Sequence, residues 1–161
     1  MIRLLVTICG VGHIKPASGT WGSLAALPLF YVIFSISGLF GIILSLIAIL
    51  LLGWFGIERY SQETESHDAS EIVIDEVFGQ FIALLPVAIG AVQTGVHIIA
   101  LYPGWIAAFI LFRVFDILKP GPIGTIDKKG TALSVMLDDA LAGVFAAFGV
   151  LLLAGVAHGF A

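Results

Sequence analysis

A chain of 161 residues that is 60% hydrophobic and 11% charged, with a mean hydropathy of +1.12, is far more apolar than a soluble domain, where the apolar share is roughly 45 to 50%. Composition therefore predicts an integral membrane protein, and the length suits one domain over residues 1–161. A net charge of −4 leaves no basic face for nucleic acid, and a lone cysteine, Cys9, excludes an internal disulfide.

The chain begins with Arg3 and a short apolar run, Leu4 to Cys9, shorter than the h-region of about 7 to 15 residues in a signal peptide, so it reads as mature sequence. Next comes a glycine-rich lead, Gly10-Val11-Gly12-His13-Ile14-Lys15-Pro16-Ala17-Ser18-Gly19-Thr20-Trp21-Gly22-Ser23. Glycines let backbone N–H groups close around an anion, and the helix that follows presents its N-terminus to it. The lead lacks the Gly-Lys-Ser/Thr of a P-loop, and Ser18 and Thr20 also suit ordinary helix caps.

Trp21 to Ile57 carries no Lys, Arg, Asp or Glu and is about twice the roughly 20 residues that one crossing needs. Ser35, Ser37 and Gly38 interrupt it near the middle, which predicts an out-and-back helical pair. Several of the predicted spans are short, and Trp21 to Ser37 alternatively forms a re-entrant or surface helix. A charged stretch follows, with the sequence His67-Asp68-Ala69-Ser70-Glu71-Ile72-Val73-Ile74-Asp75-Glu76-Val77-Phe78-Gly79. If it is helical, Asp68, Glu71 and Asp75 form an i, i+3, i+7 stripe, with His67 over Glu71. Asp75 and Glu76 then stand where the chain meets the membrane. Acids at a helix start also have an electrostatic reason of their own, because the macrodipole favours negative charge there.

Val77 to Phe112 is again free of Lys, Arg, Asp and Glu, with Gln93, Thr94, Gly95, His97 and Pro103 marking a second far-side turn. It leads into Leu111-Phe112-Arg113-Val114-Phe115-Asp116-Ile117-Leu118-Lys119-Pro120-Gly121-Pro122-Ile123. On a helix, Arg113, Asp116 and Lys119 span about a third of the circumference, so Asp116 can pair with either cation. Pro120 ends that helix just after Lys119. A basic residue at a membrane boundary also suits simple snorkelling, but Arg113 lies a turn deeper among Phe109, Phe112 and Phe115.

The last apolar stretch, about Ser134 to His158, contains Met136-Leu137-Asp138-Asp139-Ala140-Leu141-Ala142-Gly143. Its acid pair repeats the pattern of Asp75-Glu76: apolar residues before it, the predicted start of a membrane helix, and a glycine within the next turn. Gly79 and Gly143 would let two helices approach closely in a bilayer, bringing the two pairs face to face.

The predicted fold is thus all-α, a polytopic membrane helical bundle of about five membrane helices. All seven Lys and Arg residues fall on one face of it, which the positive-inside rule makes cytoplasmic. Four carboxylates gathered there would repel one another without a cation. Hard oxygen ligands with neither His nor Cys suit Mg²⁺ or Mn²⁺ rather than zinc. A divalent cation beside Arg113 and Lys119 is the equipment of phosphoryl transfer, whose transition state spreads negative charge over the phosphoryl oxygens.

Taken together, these residues resemble the phosphatidylglycerophosphatase A family. The resemblance rests on Gly19-Thr20-Trp21-Gly22-Ser23, on Ile74-Asp75-Glu76, on Phe112 to Pro120 with Pro122-Ile123, and on Met136 to Asp139 with Ala142-Gly143. The blocks run in family order from Gly10 to Gly143, and one departure is Ser18, where family members often carry Pro. The resemblance implies an Mg²⁺-dependent enzyme of the bacterial inner membrane that hydrolyses phosphatidylglycerophosphate to phosphatidylglycerol and inorganic phosphate. On these residues, Asp75, Glu76, Asp138 and Asp139 are expected to bind Mg²⁺, with one carboxylate also orienting the attacking water. Arg113 and Lys119, held by Asp116, are expected to grip the phosphate, with Thr20, Gly19 and Gly22 closing round it. His67 or Asp68 is a candidate to protonate the leaving oxygen.

Covalent routes fit less well. Cys9 is followed at the sixth position by Lys15 and not Arg, no Asp-x-Asp pair exists, and Ser18-Gly19 has no following His. The main rival class is a divalent-cation transporter or channel, which would place its ionisable groups near the bilayer midplane. Here no predicted span carries a carboxylate at its centre. A lipid-binding or assembly protein without catalysis is disfavoured by the density of acids.

Overall fold

The computed structural model describes residues 2–64 and 70–159, and among them all regular structure is helical. A short helix α1 (Ile2–Val6) precedes α2 (Ser18–Thr64), α3 (Ile74–Ala83), α4 (Leu85–Thr94), α5 (Tyr102–Leu118), α6 (Pro122–Asp127) and α7 (Ala132–Gly159). Four helical stretches are long and apolar enough to cross a membrane: 18–63, 74–94, 98–118 and 132–157.

The first of these is two arms. At 1.5 Å per residue a straight 47-residue helix would run roughly 70 Å, more than twice the hydrocarbon thickness. Gly38 breaks it with φ 60°, ψ −155°, a conformation essentially confined to glycine. The arms fold back on each other, because Gly22 packs on Val73 while Gly53 packs on Ile74 and Met136. Both ends therefore lie at the level where α3 begins. With this bend the number of crossings is about five, as the apolar pattern predicts.

The α3–α4 crossing is the centre of the bundle. Its most apolar window is 56% buried, against 17%, 17% and 22% for the other three. Phe81 and Leu84 are fully buried on it, and Phe81 meets Phe30 of α2 edge to face with ring centroids 5.1 Å apart. The outer helices turn Ile36, Phe40, Leu52, Ile117 and Leu152 outward, as lipid-facing helices do. Gly95, left-handed at φ 68°, caps α4 on the far side, and Trp105 donates its indole N–H to the Ile98 carbonyl at 3.0 Å, fastening the turn into α5.

Lipid is as apolar as leucine, so helices in a bilayer associate through close packing rather than through the hydrophobic effect. The closest approach here is α3 on α7. A methyl group on Gly143 would lie 2.3 Å from the Gly79 carbonyl oxygen, and one on Gly79 would lie 2.5 Å from the Asp139 carbonyl oxygen. Both carbonyls are backbone and cannot yield, and the Phe112 ring crowds Gly79 as well.

The lead into α3 is also anchored. The Val73 N–H donates to the Val6 carbonyl at 2.9 Å, the Tyr60 hydroxyl donates to Glu71 Oε1 at 2.9 Å, and the Ser18 hydroxyl donates to the Ser70 carbonyl. Gly12 leaves no room for a side chain against the Glu71 carbonyl. Glu71 and Val73 precede the helix, so the expected stripe of Asp68, Glu71 and Asp75 does not form along one helix face. His67 and Asp68 lie outside the described residues.

Gly143→Ala should lower stability by about 1–3 kcal/mol, read as the unfolding midpoint in detergent. Gly155→Ala, on the same helix but facing open space, should leave the midpoint unchanged. Equal effects at the two positions would show that the crossing is not the tight contact described.

Candidate active site

Asp75 and Glu76 occupy the first turn of α3. Asp138 and Asp139 do not start their helix, as the apolar pattern suggests. α7 begins at Ala132, where Thr131 and Ser134 cap it reciprocally: the Ser134 N–H donates to Thr131 Oγ1 at 3.1 Å and the Thr131 N–H to Ser134 Oγ at 2.8 Å. With the end of the helix already capped, and the macrodipole effect confined to the first turn, Asp138 and Asp139 in the second turn have no such reason to be there.

The Gly79–Gly143 crossing brings Asp139 to Asp75 and Glu76, while Asp138, expected as a fourth ligand, stands outside this trio and is bonded to Lys119. Oxygens of Asp75, Glu76 and Asp139 all lie within 4.8 Å of one another. Six-coordinate Mg²⁺, with bonds of about 2.0–2.1 Å, separates its ligands by about 3 to 4 Å, so a small closure would suit this trio. The chemistry of the donors fits as well. Asp75 Oδ1, Glu76 Oε2, Asp138 Oδ1 and Asp139 Oδ2 are buried without a hydrogen-bond partner, and buried carboxylates left in that state are costly unless a cation or protons compensate them.

The cations come from elsewhere in the chain. Arg113 on α5 pairs with Asp116 Oδ2 at 2.6 Å and donates to the Ser23 hydroxyl at 3.3 Å. Glu76 and Arg113 both approach Gly19, where an added methyl would lie 2.1 Å from Glu76 Oε1 and 3.1 Å from Arg113 Nη1. The absence of a side chain at Gly19 thus admits both groups. Thr20 is in the same first turn of α2, with its N–H given to the Ala17 carbonyl. Gly22 lies against Val73 instead, as a spacer between α2 and α3.

Lys119 follows α5 in a left-handed conformation, φ 42°, ψ 54°, which costs a non-glycine residue about 1–3 kcal/mol. That turn sends its ammonium away from Asp116. It bonds Asp138 Oδ2 at 2.6 Å and Asp127 Oδ1 at shorter range. Burial opposes the charge on Lys119, but the hydrogen bonds to Asp127 and Asp138 outweigh it and raise its pKa above the ordinary lysine value. Lys119 therefore stays charged throughout the neutral range.

Three residues escape sequence reasoning, two that hold the cations and one on α3 a turn beyond Glu76. Asp127, beside Lys128 and Lys129, looks like one member of a solvated charged loop. Ser23 follows the glycine-rich lead with nothing to mark it from Ser18. Gln80 is a single amide in an apolar run, and only its depth, one turn beyond Glu76, is a signal.

Apolar crossing helices with clustered acids and two held cations at one end are the equipment of a membrane-embedded phosphoric monoester hydrolase, and comparison with known proteins places the chain in that class. The sequence pattern of the family described as Phosphatidylglycerophosphatase A matches residues 4–154. The chain belongs to this family. It is 38% identical over 147 residues to the phosphatidylglycerophosphatase A of Haemophilus influenzae, covering 90% of this chain and 83% of that protein. It is 31% identical over 148 residues to that of Escherichia coli, covering 90% and 78%. A Bacteroides thetaiotaomicron protein provisionally named a phosphatidylinositol-3-phosphatase is 32% identical over 145 residues, covering 88% and 86%. No solved structure matches the chain.

Lys119→Met strips Asp138, whose side chain is 4% exposed, of its cation. Stability in detergent should fall by about 1–3 kcal/mol, and adding Asp138→Asn should recover part of the loss. If the double variant is no more stable than Lys119→Met, the pair is not coupled.

Proposed function

We propose that this protein is an Mg²⁺-dependent phosphatase of the bacterial inner membrane that hydrolyses phosphatidylglycerophosphate to phosphatidylglycerol and inorganic phosphate at the cytoplasmic surface. The observation that carries the reading is the trio Asp75, Glu76 and Asp139, with its unpartnered buried oxygens, beside Arg113. Family membership and the names of the Haemophilus influenzae and Escherichia coli relatives support the substrate. The far-side turns near Gly38 and Gly95 carry neither Lys nor Arg, which supports a cytoplasmic site by the positive-inside rule.

Asp75, Glu76 and Asp139 would hold Mg²⁺, with Asp138 at the edge of the same cluster. Bound there, the ion would supply Lewis-acid stabilisation of the phosphoryl oxygens and a more acidic water. Arg113 has five N–H donors and Lys119 three. Their carboxylate partners fix both side chains, and the donors that remain are offered to the phosphate. Thr20 and the first turn of α2 stand beside Gly19, which both Glu76 and Arg113 approach. The attacking water oxygen forms a bond to phosphorus as the bond from phosphorus to the glycerol oxygen breaks. A carboxylate of the cluster accepts the proton of the water, and the leaving oxygen takes one from His67, from Asp68 or from a second water. Arg113 and Lys119 balance the charge that builds on the phosphoryl oxygens.

Purified protein in detergent should release phosphate from phosphatidylglycerophosphate with Mg²⁺, lose that activity in EDTA and regain it on adding Mg²⁺. Asp75→Asn and Asp139→Asn should each lower the rate at least about a hundredfold while melting at the temperature of the unaltered protein. Normal turnover in both variants would remove the cation assignment. Faster release from phosphatidylinositol 3-phosphate than from phosphatidylglycerophosphate would overturn the substrate assignment and keep the chemistry.

A further inference from the structure

Gln80 is fully buried on α3, and neither its amide oxygen nor its amide nitrogen has a hydrogen-bond partner. Its neighbours in the chain, Val77, Phe78, Phe81 and Leu84, are apolar and buried, so a Leu or Met at this position would satisfy packing alone. Inside a membrane bundle an amide with both ends unpaired is a costly choice. It implies a partner that joins when the site is occupied.

The partners are at hand. Seven buried side-chain polar atoms among the described residues lack a hydrogen bond: Asp75 Oδ1, Glu76 Oε2, Gln80 Nε2, Gln80 Oε1, Arg113 Nε, Asp138 Oδ1 and Asp139 Oδ2. Two of the seven are donors, Gln80 Nε2 and Arg113 Nε. Glu76 and Gln80 are four apart on one helix, a spacing that sets side chains side by side with Cβ atoms about 5–6 Å apart. On the facing arm of α2 the same step leads from Gly19, which meets Glu76 and Arg113, to the buried Ser23, which accepts from Arg113. Arg113 therefore touches the Gly19–Ser23 stripe, and Glu76, one turn before Gln80 on α3, approaches the same stripe at Gly19. An amide carries the donor that the Glu76 Oε2 vacancy needs and the acceptor that the Arg113 Nε vacancy needs.

We infer that Gln80 is a positioning residue that ties the cation-binding acid to the phosphate-binding cation: Nε2 donates to Glu76 Oε2 and Oε1 accepts from Arg113 Nε once the site is loaded. A carboxylate that gives one oxygen to a metal is oriented by a donor on the other, and a planar guanidinium is fixed by each acceptor at its edge. The inference rests on reading Asp75, Glu76 and Asp139 as a cation site.

The test is Mn²⁺ titration of detergent-purified protein, with free Mn²⁺ read by electron paramagnetic resonance, on the unaltered chain, Gln80→Met and Gln80→Leu. Both substitutions keep a side chain of nearly the same bulk without an amide, and melting curves confirm that each variant is folded. Dissociation constants about tenfold weaker or more in both variants, with a matching rise in the Mg²⁺ needed for half-maximal phosphate release and partial rescue at high Mg²⁺, are the expected result. If the unaltered chain binds Mn²⁺ and both folded variants bind it equally well, Gln80 has no such role. If the unaltered chain binds no Mn²⁺ and the Asp75→Asn and Asp139→Asn variants turn over normally, the cation reading fails and this inference with it.

Discussion

The contact on which this structure depends is the crossing of α3 and α7 at Gly79 and Gly143. Each backbone stands where the side chain of the other would be, and that proximity brings Asp139 to Asp75 and Glu76, more than sixty residues away in the chain, in one cluster. In water such a crossing could be driven by burying apolar area. Between helices in lipid it must come from close packing and polar contacts, and here the glycines provide the first while the acids oppose it. Carboxylates brought together repel, so the packing that builds the cluster works against its electrostatics until positive charge arrives.

The protein supplies part of that charge itself and fixes where it stands. Arg113 is tied to Asp116 and Ser23, and Lys119 to Asp127 and Asp138. Each cation is thus held by a carboxylate outside the Asp75, Glu76 and Asp139 trio. Arg113 and Glu76 also both approach Gly19. Arg and Lys are placed differently because they do different things: a guanidinium can serve several partners in one plane, whereas an ammonium is a compact charge that must be delivered to a point. The left-handed turn at Lys119 makes that delivery, and Pro120 directly after it prevents α5 from continuing and carrying the side chain away.

What was legible in the sequence follows from which constraints are local. The bend at Gly38 and the end of α5 at Lys119 can be read because each depends on the conformational limits of one or two residues. The acid pairs can be read because charge is so rare in this chain that its position carries information. Asp127 could not be found this way, since its pairing with Lys119 depends on how α6 turns back and no periodicity records that. The stripe that Asp68, Glu71 and Asp75 would form on a helix is absent for a related reason. Its spacing is right, but the Val73 N–H is given to Val6 and the Glu71 side chain to Tyr60, so contacts from distant segments hold the lead into α3 outside the helix. The acids of α7 lie nearly two turns inside the helix rather than at its start, because Thr131 and Ser134, which look like ordinary loop residues, cap it.

The central position of α3–α4 explains how a charged cluster and a lipid-facing exterior coexist in so small a bundle. The helix that carries Asp75 and Glu76 is the one most enclosed by protein, so its polar groups meet α2, α5 and α7 before they meet lipid. The outer helices can then be apolar almost all round, as their exposed Ile, Leu and Phe side chains require. Enclosure has a cost, because every polar atom on the inner helix must find a partner inside the bundle. Where the partner is missing, as at Glu76, Gln80 and Arg113, the unpaired atoms lie around one cluster rather than scattered through the core. A defect of packing would show no such preference. Acceptors outnumber donors among these atoms, so the bundle's own groups cannot pair them all, and the balance must come from protons or from a bound positive charge.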